Sequence, residues 1–247
     1  MVSLKNDFFN GDHIMKFLVL SDIHGDLSNL DRLDSCFKNA DAVLFGGDFA
    51  KFEHEETGKP VLEKLLSKHD TIFSVIGNCD SPDFLSEIEG ADISVEASLA
   101  FHDGIAVCGS GGGTKFTGTT PFERDEDEIL SDYEVVENSS GECADEDGHW
   151  QNLVLIMHNP PKETECDKLP NGIHVGSEKL RSYIEKRTPF LVVTGHIHES
   201  AGISKIGETT VINPGSLSEG KYGWVEAEKD TSGKWSVTKA ELLQIKD

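Results

Sequence analysis

The amino-acid sequence predicts an α/β layered domain built on a mixed sheet, or on two sheets packed face to face. Three observations predict it. Short runs rich in Val, Ile, Leu and Phe recur along the chain, amphipathic segments stand between several of them, and the C-terminal part holds strand-like runs separated only by turns.

The runs are Phe17 to Leu20, Ala42 to Phe45, Thr71 to Ile76, Ile105 to Cys108, Leu153 to Met157 and Phe190 to Val193. Their hydrophobicity is continuous rather than alternating, as expected of strands covered on both faces. Leu27 to Phe37, Pro60 to Lys68 and Ser177 to Arg187 repeat their apolar residues at helical spacing. The first two of these helices fall within strand, helix, strand units of about thirty residues. From Ala201 to Lys246 the runs Gly202 to Ile206, Thr209 to Ile212, Gly223 to Ala227 and Trp235 to Leu242 predict antiparallel hairpins. Met15-Lys16-Phe17 opens the first strand, so residues 1–14 are set apart as an N-terminal extension and 15–247 form one domain. Two stretches are expected to be irregular. The Gly- and Thr-rich segment from Ser110 to Pro121 lacks the spacing of a phosphate-binding P-loop. The acidic segment from Glu137 to His149 is short of apolar residues and is expected as a surface loop.

Lys and Arg total 22 against 45 Asp and Glu, a net charge of −23 over 247 residues. Strong binding to nucleic acid or to an anionic membrane is therefore not expected, because such affinity comes from Lys and Arg neutralising phosphates. Five cysteines without a CxxC pair suit reduced thiols and a cytoplasmic protein. The early apolar run Phe17 to Leu20 is too short for a membrane span or a secretory leader.

The informative residues come where the buried runs end. Ser21-Asp22-Ile23-His24, Gly46-Gly47-Asp48, Gly77-Asn78-Cys79-Asp80, His158-Asn159 and Gly195-His196-Ile197-His198 follow five separate runs. In open α/β sheets ligands bind outside the carboxyl ends of the strands, so all five would meet at one edge. Taken singly, each has an ordinary explanation as a helix cap or a turn. Together they supply two carboxylates, one amide oxygen and four imidazoles. Two divalent ions sharing a bridging carboxylate use such a set better than one ion does. Asp22 with His24, and His196 with His198, are i, i+2 pairs, which extended backbone would aim to one side.

Read in order, Asp22-x-His24, Gly47-Asp48, Gly77-Asn78, His158 and Gly195-His196-x-His198 resemble the signature of the calcineurin-like metallophosphoesterases, over about residues 16 to 220. The Gly-Asn-Cys-Asp block and the segment Asn213 to Ser216 are most similar to the small, single-domain bacterial and archaeal members. The resemblance implies a four-layer α/β/β/α sandwich with mixed β-sheets and two divalent metal ions, commonly Mn, Fe, Zn, Ni or Co. It implies Asp22, His24 and His198 on the first ion, Asn78, His158 and His196 on the second, and Asp48 between both, with Asp48, Asn78 and His158 as catalytic residues. The implied activity is hydrolysis of phosphodiesters or small phosphomonoesters by a metal-activated hydroxide. The alternative is a catalytically silent scaffold of the same fold, against which the intact ligand set weighs. Many phosphodiesterases of the family carry a proton-donating histidine where Cys79 stands here; Cys79 is read as a small buried filler, which leaves the leaving-group acid open.

Overall fold

The computed structural model describes residues 14–116 and 118–246, so the expected N-terminal extension lies outside the described residues except for Ile14, which opens the first strand. In chain order the first half holds β1 (Ile14–Leu20), α1 (Asp34–Asn39), β2 (Ala42–Phe45), α2 (Gly58–Lys68), β3 (Ile72–Ser74) and α3 (Leu85–Gly90). Then come β4 (Leu99–His102), β5 (Ile105–Ser110), β6 (Gly113–Thr114), β7 (Glu123–Arg124), α4 (Glu126–Ser131), α5 (Glu134–Cys143), β8 (Leu153–Met157), α6 (Glu178–Arg187) and β9 (Leu191–Val193). The chain closes with β10 (Gly202–Ile206), β11 (Thr209–Asn213), β12 (Lys221–Lys229) and β13 (Trp235–Gln244).

Two mixed sheets carry the fold, in the orders β13-β12-β1-β2-β3 and β10-β11-β9-β8-β5-β4. In the first sheet β1, β2 and β3 run parallel, with β12 and β13 antiparallel along one side; in the second β11, β9, β8 and β5 run parallel between antiparallel edge strands β10 and β4. The alternation of side chains along each strand divides the apolar residues among three cores. Phe17 and Val19 of β1 point between the sheets, where they meet Leu44, Val107, Val154, Ile156 and Val193. Leu18 and Leu20 point outward onto Phe37, Leu65 and Ile88, beneath α1, α2 and α3. On the far side Leu155, Met157 and Val192 pack against Tyr133, Val136, Leu180 and Ile184, beneath α4, α5 and α6. The layers are therefore helix, sheet, sheet, helix, and the central strands are covered twice. Among the described residues no helix is long and apolar enough to cross a membrane.

The two C-terminal hairpins form as expected, but they serve different sheets. β11 lies parallel beside β9, whereas β12 lies antiparallel beside β1. The segment from Leu27 to Phe37 is not one helix. Asp26 caps the backbone N–H of Ser28 and the Asn29 amide donates to the Leu217 carbonyl, so a continuous helix starts only at Asp34, although Leu30, Leu33 and Phe37 are all buried. The segment from Glu137 onward is a correction of the opposite kind. Residues through Cys143 belong to α5, because Tyr133 and Val136 anchor its first turn in the core and Glu137 pairs with Arg187 and Lys186 of α6. Tertiary contacts here override an acidic composition, and only the part from Ala144 onward is loop. The strand β4 and the helices α3 and α4 escaped the sequence reading, although Asp125-x-x-Glu128 before α4 is a capping box with both reciprocal bonds made.

Candidate metal centre

All seven sequence-selected residues come together. Asp22 and His24 follow β1, Asp48 follows β2 and Asn78 lies beyond β3, all in the first sheet; His158 follows β8, and His196 and His198 lie beyond β9, in the second. The expected extended geometry of the i, i+2 pairs is not what aims them. Asp22, His24, Asp48 and His196 have φ of 55°, 50°, 61° and 67°, the left-handed region that side chains other than glycine rarely adopt. The strain is held by bonds between the loops: Asp22 N–H to Gly47 O (3.0 Å), Ile23 and His24 N–H to Asp48 O (3.0 and 3.1 Å), and His196 N–H to the Asp22 carboxylate (3.2 Å). Two glycines permit this closeness. A Cβ on Gly77 would sit 2.0 Å from Asp48 Oδ1, and one on Gly195 would sit 2.0 Å from Ser21 Oγ and 2.7 Å from Asp22 Oδ2.

The cluster has two halves with Asp48 between them. In the first, His198 Nε2 is 3.1 Å from both Asp22 Oδ1 and His24 Nε2. In the second, Asn78 Oδ1 is 2.8 Å from His158 Nε2 and 2.7 Å from His196 Nδ1. Asp48 Oδ2 lies 3.7 Å from His24 Nε2 and 3.5 Å from His158 Nε2. Two histidines are oriented by carbonyls behind them: Nδ1 of His158 donates to Gly46 O (2.7 Å) and Nδ1 of His24 to Ala50 O (3.2 Å), which leaves each Nε2 lone pair facing the cluster.

Burial makes this set hard to keep without a cation. Asp22, Asp48 and His158 are at most 2% exposed, and carboxylates withdrawn from water need a compensating charge. Burial would raise the Asp22 carboxyl, but the His198 hydrogen bond and the nearby imidazoles hold it well below the usual range. Burial and then the His158 ring push His196 down to about 4. His198 would also be lowered by burial, yet the Asp22 hydrogen bond and the charges of Asp22 and Asp48 raise it to about 9. Donor atoms from Asp22, His24 and His198, and again from Asp22, Asp48 and His158, all lie within 4.8 Å of one another, so the residues fit metal ligation.

The supporting residues were harder to read from sequence. Asp80 is fully buried and accepts the N–H groups of Ala50 (2.7 Å), Gly77 (2.8 Å) and Phe49 (3.2 Å), tying the β2 loop to the β3 loop. Burial and the Asp48 charge push its carboxyl up, against those three donors. Asn213 donates to Ile197 O (2.9 Å) and the Ser216 hydroxyl to Asp22 O (2.6 Å), which gives the Asn213 to Ser216 segment its work. Cys79 is 8% exposed and its backbone N–H donates to Asp48 Oδ1 (2.8 Å); burial first, and Asp48 next, push its thiol up. The Gly-rich segment is a wall of the site rather than a phosphate cradle. Its strand β6 pairs with β7, a Cβ on Gly113 would stand 3.2 Å from Asn78 Cβ and 3.3 Å from His196 Cε1, and Phe122 N–H caps the Asn78 carbonyl (3.0 Å).

Comparison with known proteins agrees with this geometry. An uncharacterized protein of Methanocaldococcus jannaschii is 34% identical over 207 residues, which is 81% of this chain and 88% of that one. Among solved structures, TT1561 of Thermus thermophilus superposes with a TM-score of 0.67 at 19% identity, covering 95% of this chain and all of the other. The NAD nucleotidase of Haemophilus influenzae superposes with a TM-score of 0.56 at 16% identity over 94% of this chain and 50% of its own length, a likeness of fold. The family model described as the calcineurin-like phosphoesterase superfamily domain matches residues 15–225, a span that contains all five strand ends that supply the clustered donors, and the chain belongs to that superfamily.

Proposed function

We propose that this protein hydrolyses small phosphate esters, phosphodiesters or phosphomonoesters, at a centre of two divalent ions. The observation that carries the reading is the position of Asp48, whose Oδ2 stands within 3.7 Å of an imidazole from each half of the cluster. Asp22, His24 and His198 would hold one ion and Asn78, His158 and His196 the other, with Asp48 shared. Such a pair supplies hydroxide near neutral pH and a clamp for the phosphoryl oxygens. The chain's own part is to fix the donors. Gly46 O and Ala50 O set the tautomers of His158 and His24, and Asp80 fixes the loops that carry Asp48 and Asn78. Mixed oxygen and nitrogen donors suit manganese, iron, zinc, nickel or cobalt. A charge of −23 favours a small substrate over a polyanion, and five free cysteines accord with work in the cytoplasm.

The test is elemental analysis of manganese-reconstituted protein, followed by a panel of phosphodiesters, monoesters and nucleotides. Two ions per chain and turnover of at least one ester class are expected. One ion or none removes the dinuclear reading, and a fully loaded protein inert across the panel removes the hydrolase.

A further inference from the structure

We propose that His174, oriented by Asp167, gives a proton to the leaving oxygen of the substrate, an inference that rests on the hydrolase reading above. An ester whose leaving group is an alkoxide needs a proton on that oxygen as its bond to phosphorus breaks. The seven ligand side chains are committed to the centre, and Cys79 is buried with its backbone on Asp48.

Asp167 and His174 form a dyad outside the cluster. Asp167 is wholly buried, and its carboxylate accepts the N–H groups of Thr164 (2.8 Å), Gly176 (3.0 Å) and Glu163 (3.2 Å), the Thr164 hydroxyl (3.2 Å) and Nδ1 of His174 (2.8 Å). With Nδ1–H held on a carboxylate, Nε2 is the ring nitrogen left to exchange a proton with a substrate. The imidazole is 29% exposed and stands between Ile173 and Val175, themselves 56% and 39% exposed. Across a β-bridge it faces Lys168, whose ammonium is paired with Glu165 (3.2 Å).

The loop that carries this dyad is pinned beside the centre on both sides. Ser177 N–H donates to Pro160 O (2.9 Å), two residues beyond His158, and the Ser200 hydroxyl, two residues beyond His198, donates to Lys168 O (3.0 Å). In the step, the oxygen of water bonds to phosphorus as the bond to the leaving oxygen breaks. The released electron pair takes the proton from Nε2, and the imidazole keeps its other N–H on Asp167. The proton given up by the attacking water restores the imidazolium, so ester and water become alcohol and phosphate. His174 is the catalytic residue here and Asp167 the positioning one.

Manganese-reconstituted wild type, His174→Gln and Asp167→Asn are assayed on a nitrophenyl and an alkyl phosphate ester, with metal content measured alongside. His174→Gln is expected to lose about 10²- to 10⁴-fold on the alkyl ester, the usual worth of general acid catalysis, and far less on the aryl ester, whose leaving group departs as a stable anion. Asp167→Asn is expected to shift the same ratio in the same direction by a smaller factor. Equal losses on both esters, no loss on the alkyl ester, or loss of metal in both variants overturns the inference and leaves the hydrolase reading standing. A wild type inert on both esters overturns the two together.

Discussion

The two ends of the sandwich differ in a way that hollow volume does not reveal. Where β8 and β9 begin, a cleft of about 830 Å³ opens among Trp150, Phe190, Lys205, Lys234 and Trp235. At the end where they finish, seven donors converge around Asp48. The carboxylates of the cleft, Asp145, Glu185, Glu208 and Asp230, are all exposed to solvent. The donor end holds buried carboxylates, left-handed backbone at four non-glycine residues and imidazoles oriented from behind. The second pattern is the one expected of a functional site, because buried charge and strained backbone persist only where surrounding structure over-determines them.

The contrast is broken most severely at Asp48. Asp48→Ala should release both ions and lower turnover on the order of 10²- to 10³-fold or more, at least the cost of removing one transition-state donor. Asn78→Ala should spare the ion of the Asp22 half, and Asp230→Ala in the cleft should leave metal content and turnover as they are. Metal analysis with steady-state kinetics checks all three. Retention of both ions by Asp48→Ala would place the shared ligand elsewhere.

A smaller effect separates the ends by pH. Glu96 accepts Ile76 N–H (3.3 Å) two residues before Asn78, and burial, ahead of every other influence, raises its carboxyl from 4.5 to about 7. The folded chain thus holds a proton there that the unfolded chain releases. The stabilisation is fully present below pH 4.5 and is lost as pH rises through about 7, by up to about 3 kcal/mol. Urea unfolding of wild type and Glu96→Gln between pH 4.5 and 8 reads it: the variant should lose that slope, and an unchanged slope would assign the proton elsewhere. The smallest change is expected beside the cleft, where Glu208 pairs with Lys234 at 2.5 Å on an exposed surface. Glu208→Gln should leave the thermal midpoint where it is, since exposed pairs contribute little.

How much of this was legible in the sequence depended on how local the cause was. The seven clustered donors follow five buried runs by a few residues, often behind a glycine, so residue type and position sufficed to select Asp22, His24, Asp48, Asn78, His158, His196 and His198 as residues that meet. Their backbone conformation was not legible. Asp22 and His196 turn left-handed because the first bonds to Gly47 and the second to Asp22, partners 25 and 174 residues away. Sheet membership of the two hairpins was hidden for the same reason, since β11 finds β9 and β12 finds β1 by packing rather than by turn chemistry. Helix α5 was concealed by composition, its support coming from Arg187 on another helix. The work of Asp80 had no spacing signal, because its donors come from two loops.

The division of the donors between layers has a mechanical side. Asp22, His24, Asp48 and Asn78 hang from one sheet, and His158, His196 and His198 from the other. The packed interior between the sheets is apolar side chains, whose attraction has no direction. Any cation gripped at the donor edge is a rivet through both plates. It would fix the register of one sheet on the other, so filling the centre would tighten the body of the molecule and emptying it would loosen the sandwich from that edge inward.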